Sequence, residues 1–150
     1  MQIWVDADAC PVVINEILSR AAQRWQCKVI LVANQALRTP PSAWVQTRQV
    51  QKGFDVADDY IVAQAQAGDV VVTGDIPLAA QLVVKQVHVL SPRGERFSAE
   101  NIQERLAVRD MLEELRSFGI ETGGPAALSQ TDRRDFANAL DSLMLKISRE

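Results

Sequence analysis

Six aspartates in three short stretches carry the chemistry this sequence can be expected to do. Asp6 and Asp8 follow the apolar run Ile3-Trp4-Val5 and precede Pro11; Asp75 follows Val70-Val71-Val72-Thr73-Gly74 and precedes Pro77. Asp55, Asp58 and Asp59 stand just ahead of Ile61, Val62 and Ala65. Carboxylates brought together repel and raise one another's pKa. A hard cation resolves that conflict. Mg²⁺ binds through one or two carboxylates plus waters and substrate phosphates, and Mn²⁺ accepts the same ligands. Such an ion can generate hydroxide and clamp the leaving oxygen of a phosphodiester. Each stretch taken alone has a plainer explanation, because acids favour helix N-termini as caps and through the macrodipole. Their joint placement is what favours a metal site.

The elements around them explain that placement. Ile3-Trp4-Val5 reads as a short buried strand, and Pro11 suits the first turn of a helix whose apolar positions run Ile14, Ile17, Leu18, Ala21, Ala22 and Trp25. Cys27 to Val32 reads as a second buried strand ending at Asn34, with Arg38 just beyond. Trp44 to Val50 fits either a short helix or an edge strand. Asp55 suits an N-cap, with Asp58 three residues on completing the pair, and Gly68 suits the stop. Asp55, Asp58 and Asp59, at i, i+3 and i+4, then approach one side of a helical turn. The stretch Asp69 to Ala80 repeats the opening design of strand, acid, proline and helix, and Val87 to Leu90 is a further strand. Ser91 to Phe97 reads as a loop carrying Arg93 and Arg96. Ser98 is the expected cap of a long helix ended by Gly119, with Ile102, Leu106, Leu112, Leu115 and Phe118 as its core face. Gly123-Gly124-Pro125 is a loop, and Ser129 with Asp132 caps a final helix.

Alternating strands and helices predict a three-layer α/β/α fold with a mainly parallel sheet of four or five strands, in one domain spanning residues 1–150. Right-handed crossovers would bring the strand ends, and the three acidic stretches, to one edge. His88 is the only histidine and Cys10 and Cys27 the only cysteines, which excludes a His-based triad, an all-protein zinc cage and a disulfide framework. A reducing cytoplasm is the expected location. No apolar run is long enough to span a membrane, so no membrane partner is expected. The net charge of −3 argues against a simple basic nucleic-acid binder, yet it turns positive when the six aspartates are set aside. His88 reads as a packed or edge residue, and Cys10 as a small buried one.

Asp6-Ala7-Asp8-Ala9-Cys10-Pro11, Gly53-Phe54-Asp55-Val56-Ala57-Asp58-Asp59 and Val72-Thr73-Gly74-Asp75-Ile76-Pro77-Leu78-Ala79 resemble the signatures of the YaiI/YqxD family of uncharacterised bacterial proteins. Pro92-Arg93-Gly94-Glu95-Arg96 and Gly123-Gly124-Pro125 resemble its later motifs, so the likeness spans nearly the whole chain. That family in turn resembles PIN-like (Rossmann-like) domains, many of them metal-dependent ribonucleases. The resemblance implies a first-strand metal ligand at Asp6, a helix carboxylate at Asp58 or Asp59, and a later strand-end motif at Thr73 with Asp75. Some PIN-like nucleases carry a further acid after the strand-end aspartate, and none stands between Ile76 and Leu90 here.

Residues and resemblance together give a working expectation: a Mg²⁺- or Mn²⁺-dependent nuclease, acting on RNA or another nucleic acid. Asp6, Asp58 and Asp75 are its expected catalytic metal ligands, with Asp8, Asp55 and Asp59 as further or supporting acids. Thr73 and Asn34 would orient water or phosphate, and Arg38, Arg93 and Arg96 would bind substrate phosphates. Two other readings stand beside it. A non-catalytic RNA-binding or regulatory module could retain the acidic pocket. A haloacid-dehalogenase-like phosphatase would use Asp6 and Asp8 as nucleophile and acid, but it needs a flap where Cys10-Pro11 starts a helix, and a well-placed lysine. The oligomeric state is left open.

Overall fold

The computed structural model describes residues 1–124 and 127–149. Its centre is a six-stranded sheet of β1 (Gln2–Asp6), β2 (Lys28–Ala33), β3 (Val45–Gln49), β4 (Val70–Val72), β5 (His88–Leu90) and β6 (Arg96–Phe97). The order is β3-β2-β1-β4-β5-β6, parallel throughout except for β6, which runs antiparallel to β5. Five helices complete the fold: α1 (Val12–Trp25), α2 (Val56–Gln64), α3 (Ile76–Val84), α4 (Ile102–Ser117) and α5 (Gln130–Ser148). This is a three-layer α/β/α arrangement.

Alternation along the strands sorts the core into two halves. Ile3, Val5, Val29, Leu31, Val70, Val72 and Leu90 meet Ile14 and Leu18 of α1 and Phe136, Leu140 and Met144 of α5. Trp4, Ile30, Val32, Val71 and Val89 point the other way, onto Ile61 of α2, Leu78 and Leu82 of α3, and Ile102 of α4. Burial on both faces is why β1, β2 and β4 are written as unbroken apolar runs. β3 lies at the edge, and four of its five residues are exposed and polar, which blunts an open strand.

From β1 the chain steps outward to β2 and β3, then returns through α2 to β4 on the other side of β1. Because α1 and α2 cover opposite faces, the carboxyl ends of β1 and β4 open onto a crevice between them. This is the switch point where open α/β sheets bind ligands. The amino ends of the same two strands are tied by Asp69. Its buried carboxylate accepts from the backbone N–H of Gln2 (3.0 Å), the indole N–H of Trp4 (3.2 Å) and the backbone N–H of Gln66 (3.0 Å).

Several local expectations need correction. The expected loop from Ser91 to Phe97 contains β6, a strand of two residues, too short to leave a periodic signal. Trp44 to Val50 holds the edge strand. Pro11 is the residue before α1 rather than its first, because a 3-10 turn over Ala7–Ala9 intervenes. Ser98 does not cap α4. The helix starts at Ile102 with Asn101 as the capping position, and the Asn101 carboxamide oxygen accepts from Ser98 N–H at 2.8 Å. Phe118, expected in the core face of α4, is 77% exposed. The Ser129–Asp132 capping box of α5 is present as expected. Pro125 of the expected glycine loop lies outside the described residues.

Candidate functional site

Asp6 is the last residue of β1 and is buried, with 5% of its surface exposed. Its Oδ2 accepts from the hydroxyl of Thr73 at 3.1 Å, and Thr73, just past the end of β4, is fully buried. The same hydroxyl oxygen accepts from the backbone N–H of Asp75 at 3.0 Å. One threonine thus fixes two strand-end acids across the switch point. Asp75 also caps α3, its Oδ1 accepting from Leu78 N–H at 3.0 Å. The plainer reading of this acid is therefore true, and it leaves Asp75 enough capacity to hydrogen-bond Asp58.

Asp58 reaches the same place from α2. Asp55 occupies the capping position of that helix with left-handed backbone (φ 61°), but its side chain makes no capping bond. The expected Asp55–Asp58 capping pair is not formed, and Asp58 turns to Asp75 instead. Burial, followed by the negative charges of Asp75 and Asp6, pushes the Asp58 carboxyl up to about 7. Burial is also the main cause that raises Asp6, opposed by the Thr73 hydrogen bond and reinforced by the charges of Asp75 and Asp8. Facing two other acids, the Asp58 carboxyl thus favours its protonated form in the absence of a cation.

The remaining acids are more peripheral. Asp8 is exposed on the 3-10 turn, and its Oδ2 accepts from Asn34 N–H at 2.7 Å, joining the ends of β1 and β2. Asn34 thus contributes its backbone to the site's edge. Asp55 and Asp59 are exposed and line, with Asp58 and Asp75, a recess of about 270 Å³ that also includes Phe54 and Arg109. Among the described residues, no three His, Cys, Asp or Glu side chains form a group that could hold a metal ion by themselves. That holds for Asp6, Asp58 and Asp75 as well: their charges act on one another and Thr73 joins two of them, but they are not placed as a closed three-carboxylate set.

A larger cleft of about 560 Å³ adjoins Asp75 on the α1 and α5 side, lined by Ala9, Pro11, Gly74, Pro92, Arg93 and Leu128 among others. Arg93 donates to Asp132 at 2.7 Å, which ties this loop to the start of α5. Gly94 permits the close approach, since a Cβ there would lie 2.7 Å from the Asp135 backbone and its φ is +89°. Arg96 is exposed beside the Nδ1 of His88 at 2.8 Å, and Arg38 is exposed in the β2–β3 loop. Arg93 therefore shares a cleft with Asp75, whereas Arg96 stands beside His88, apart from the carboxylates. Cys10 is buried, and burial pushes its thiol up to about 12, consistent with a packing residue.

Residues 4–146 match the family described as "Uncharacterized BCR, YaiI/YqxD family". The chain belongs to the YaiI/YqxD family. Among its relatives, a UPF0178 protein of Bordetella petrii is 68% identical over 149 residues, covering 99% of each chain. A UPF0178 protein of Bordetella avium is 62% identical, over 97% of this chain and 95% of that one. A third, from Dechloromonas aromatica, is 58% identical over 98% of each. No solved structure matches the chain. Two residues that line the recess of this YaiI/YqxD member were not singled out from its sequence: Phe54 and Arg109. Phe54 carried the one available signal, a large aromatic between a glycine and a helix start where no core position is needed. Arg109 carried none, because α4 meets the recess only through the fold.

Proposed function

We propose that this protein is a divalent-metal-dependent phosphodiesterase acting on nucleic acid, RNA first, with its site at the carboxyl ends of β1 and β4. The observation that carries this reading is the approach of three carboxylates from separate elements: Asp6, bridged through Thr73 to Asp75, and Asp58, which lines one recess with Asp75. The donor set suits Mg²⁺ or Mn²⁺. These ions need only one or two carboxylates and complete their shells with water and phosphate oxygens. Such an ion would displace the proton that the raised Asp58 carboxyl holds. Two of Asp6, Asp58 and Asp75, with water and phosphate oxygens, would hold the ion, which when bound stabilises the negative charge that builds on a phosphodiester during hydrolysis.

The chain's own groups have distinct tasks in this reading. Thr73 keeps Asp6 and Asp75 at fixed positions, so the ligands need no reordering. Asp58, whose carboxyl stands at about 7 without an ion, would release its proton as the ion binds. Asp8, Asp55 and Asp59 add negative potential that favours a cation. Arg38, Arg93 and Arg96 would contact phosphates away from the reacting one. A PIN-like relationship and a cytoplasmic location belong to the same proposal; the free thiols of Cys10 and Cys27 fit a reducing compartment. Among the described residues no helix is long and apolar enough to cross a membrane. The phosphatase alternative is less well supported, because Asp6 is buried and Asp8 is engaged with Asn34 N–H.

The experiment is hydrolysis of single-stranded RNA in Mg²⁺, Mn²⁺ and EDTA. Wild type should cleave only with metal. Asp6→Asn and Asp75→Asn should each abolish cleavage, and the double variant should be scarcely worse than either, because ligands of one ion act as a unit. RNA binding by a wild type inert with every metal would instead favour the non-catalytic module.

A further inference from the structure

Phe54 is 96% exposed, at the tip of the turn that leads from β3 into α2. Lone exposed apolar residues are ordinary. This one is set apart by its place, since it lines the same recess as Asp58 and Asp75. No core cluster includes it, and the left-handed backbone of Asp55 fixes the turn that presents it. Arg109 of α4 lines that recess too; its guanidinium, in an exposed contact with Asp110 at 3.3 Å, brings a cation to an otherwise acidic hollow. An aromatic face and a guanidinium beside a phosphate-directed site are the two contacts that single-stranded nucleic acid requires, one for a base and one for the backbone. In a duplex the base faces are already stacked on their neighbours.

We infer that Phe54 stacks on an unpaired base and Arg109 holds an adjacent phosphate, so that the site selects single-stranded over double-stranded nucleic acid. The inference rests on the hydrolytic reading above, and it adds the conformation of the substrate and the residues that select it.

The test is stopped-flow binding of a short single-stranded RNA carrying one 2-aminopurine, in Mg²⁺, with a blunt RNA duplex as comparison. Wild type should quench the probe. Phe54→Ala should lose the quench and bind the single strand roughly tenfold more weakly, the effect of removing one stacked base. Phe54→Trp should restore both, whereas Phe54→Leu, apolar but without a ring, should not. Arg109→Ala should lower the slope of log affinity against log salt by about one. Duplex binding should be unchanged in all variants. Unaltered single-strand affinity in Phe54→Ala, or a Leu variant as good as Trp, overturns the inference. So does a wild-type dimer that Phe54→Ala disperses, since Phe54 would then face a second copy. RNA cleavage that needs Asp6 but ignores Phe54 removes only this inference, whereas a wild type that binds no RNA removes the hydrolytic reading with it.

Discussion

The Thr73 hydroxyl donates to Asp6 Oδ2 at 3.1 Å while accepting from the backbone N–H of Asp75 at 3.0 Å, so one buried side chain joins the ends of two neighbouring parallel strands. The contact spans the point where the sheet's connections diverge. It places a structural hydrogen bond within the carboxylate set, which makes stability and site geometry inseparable at this residue.

Thr73→Val keeps the shape and removes the hydroxyl. Asp6 then loses a donor and Asp75 N–H an acceptor, so the chain should lose about 1–3 kcal/mol in denaturant unfolding. The Asp6 carboxyl should rise further, because the lost hydrogen bond was holding it down. Thr73→Ser, which retains the hydroxyl, should recover most of the site's geometry. Equal stability in Val and wild type would mean that the bridge contributes nothing.

The pH dependence follows from Asp58. Its carboxyl stands at about 7 in the folded chain, chiefly through burial, against an ordinary value of about 4 when unfolded. Between those values the folded state holds a proton that the unfolded state releases. The associated stability is fully present below the unfolded value and is lost as pH rises through the folded one. Metal-free melting temperature should therefore fall between about pH 4 and 7, and Asp58→Asn should flatten that fall. Mg²⁺ affinity should rise over the same window, since the ion competes with the proton. A flat metal-free profile in wild type would mean that Asp58 is not held protonated in the folded chain.

Asp69 gives a prediction free of the site. Removing its carboxylate in Asp69→Ala strands the Trp4 indole N–H and two backbone N–H groups, a loss of about 2–4 kcal/mol. Because Asp69 sits at the amino ends of the strands, RNA cleavage per folded molecule should be unchanged. Calorimetric melts and a cleavage assay on the same preparation check both halves.

What the sequence made legible was local. Lys28–Ala33 and Val70–Val72 announce buried parallel strands because both faces are covered, and the repeated strand–acid–proline design marks Asp6 and Asp75 as strand-end acids. The pairing of Asp58 with Asp75 was not legible, since a local rule joined Asp58 to Asp55 and only the fold brings α2 against the start of α3. β6 escaped because two residues carry no period. Asp69 looked like the polar residue before a strand, and its three donors come from Gln2, Trp4 and Gln66. Phe54 and Arg109 meet at one recess although they are far apart in the chain.

Whether the acids Asp6, Asp58 and Asp75 bind a divalent cation is read most directly by diffraction from crystals grown with Mn²⁺, recorded for its anomalous signal. One peak should lie within coordination distance of carboxylate oxygens from at least two of these three residues, and it should be absent in Asp6→Asn crystals grown the same way. Mn²⁺ bound only at Asp55 and Asp59, or no peak at the carboxyl ends of β1 and β4 at saturating metal, would contradict it.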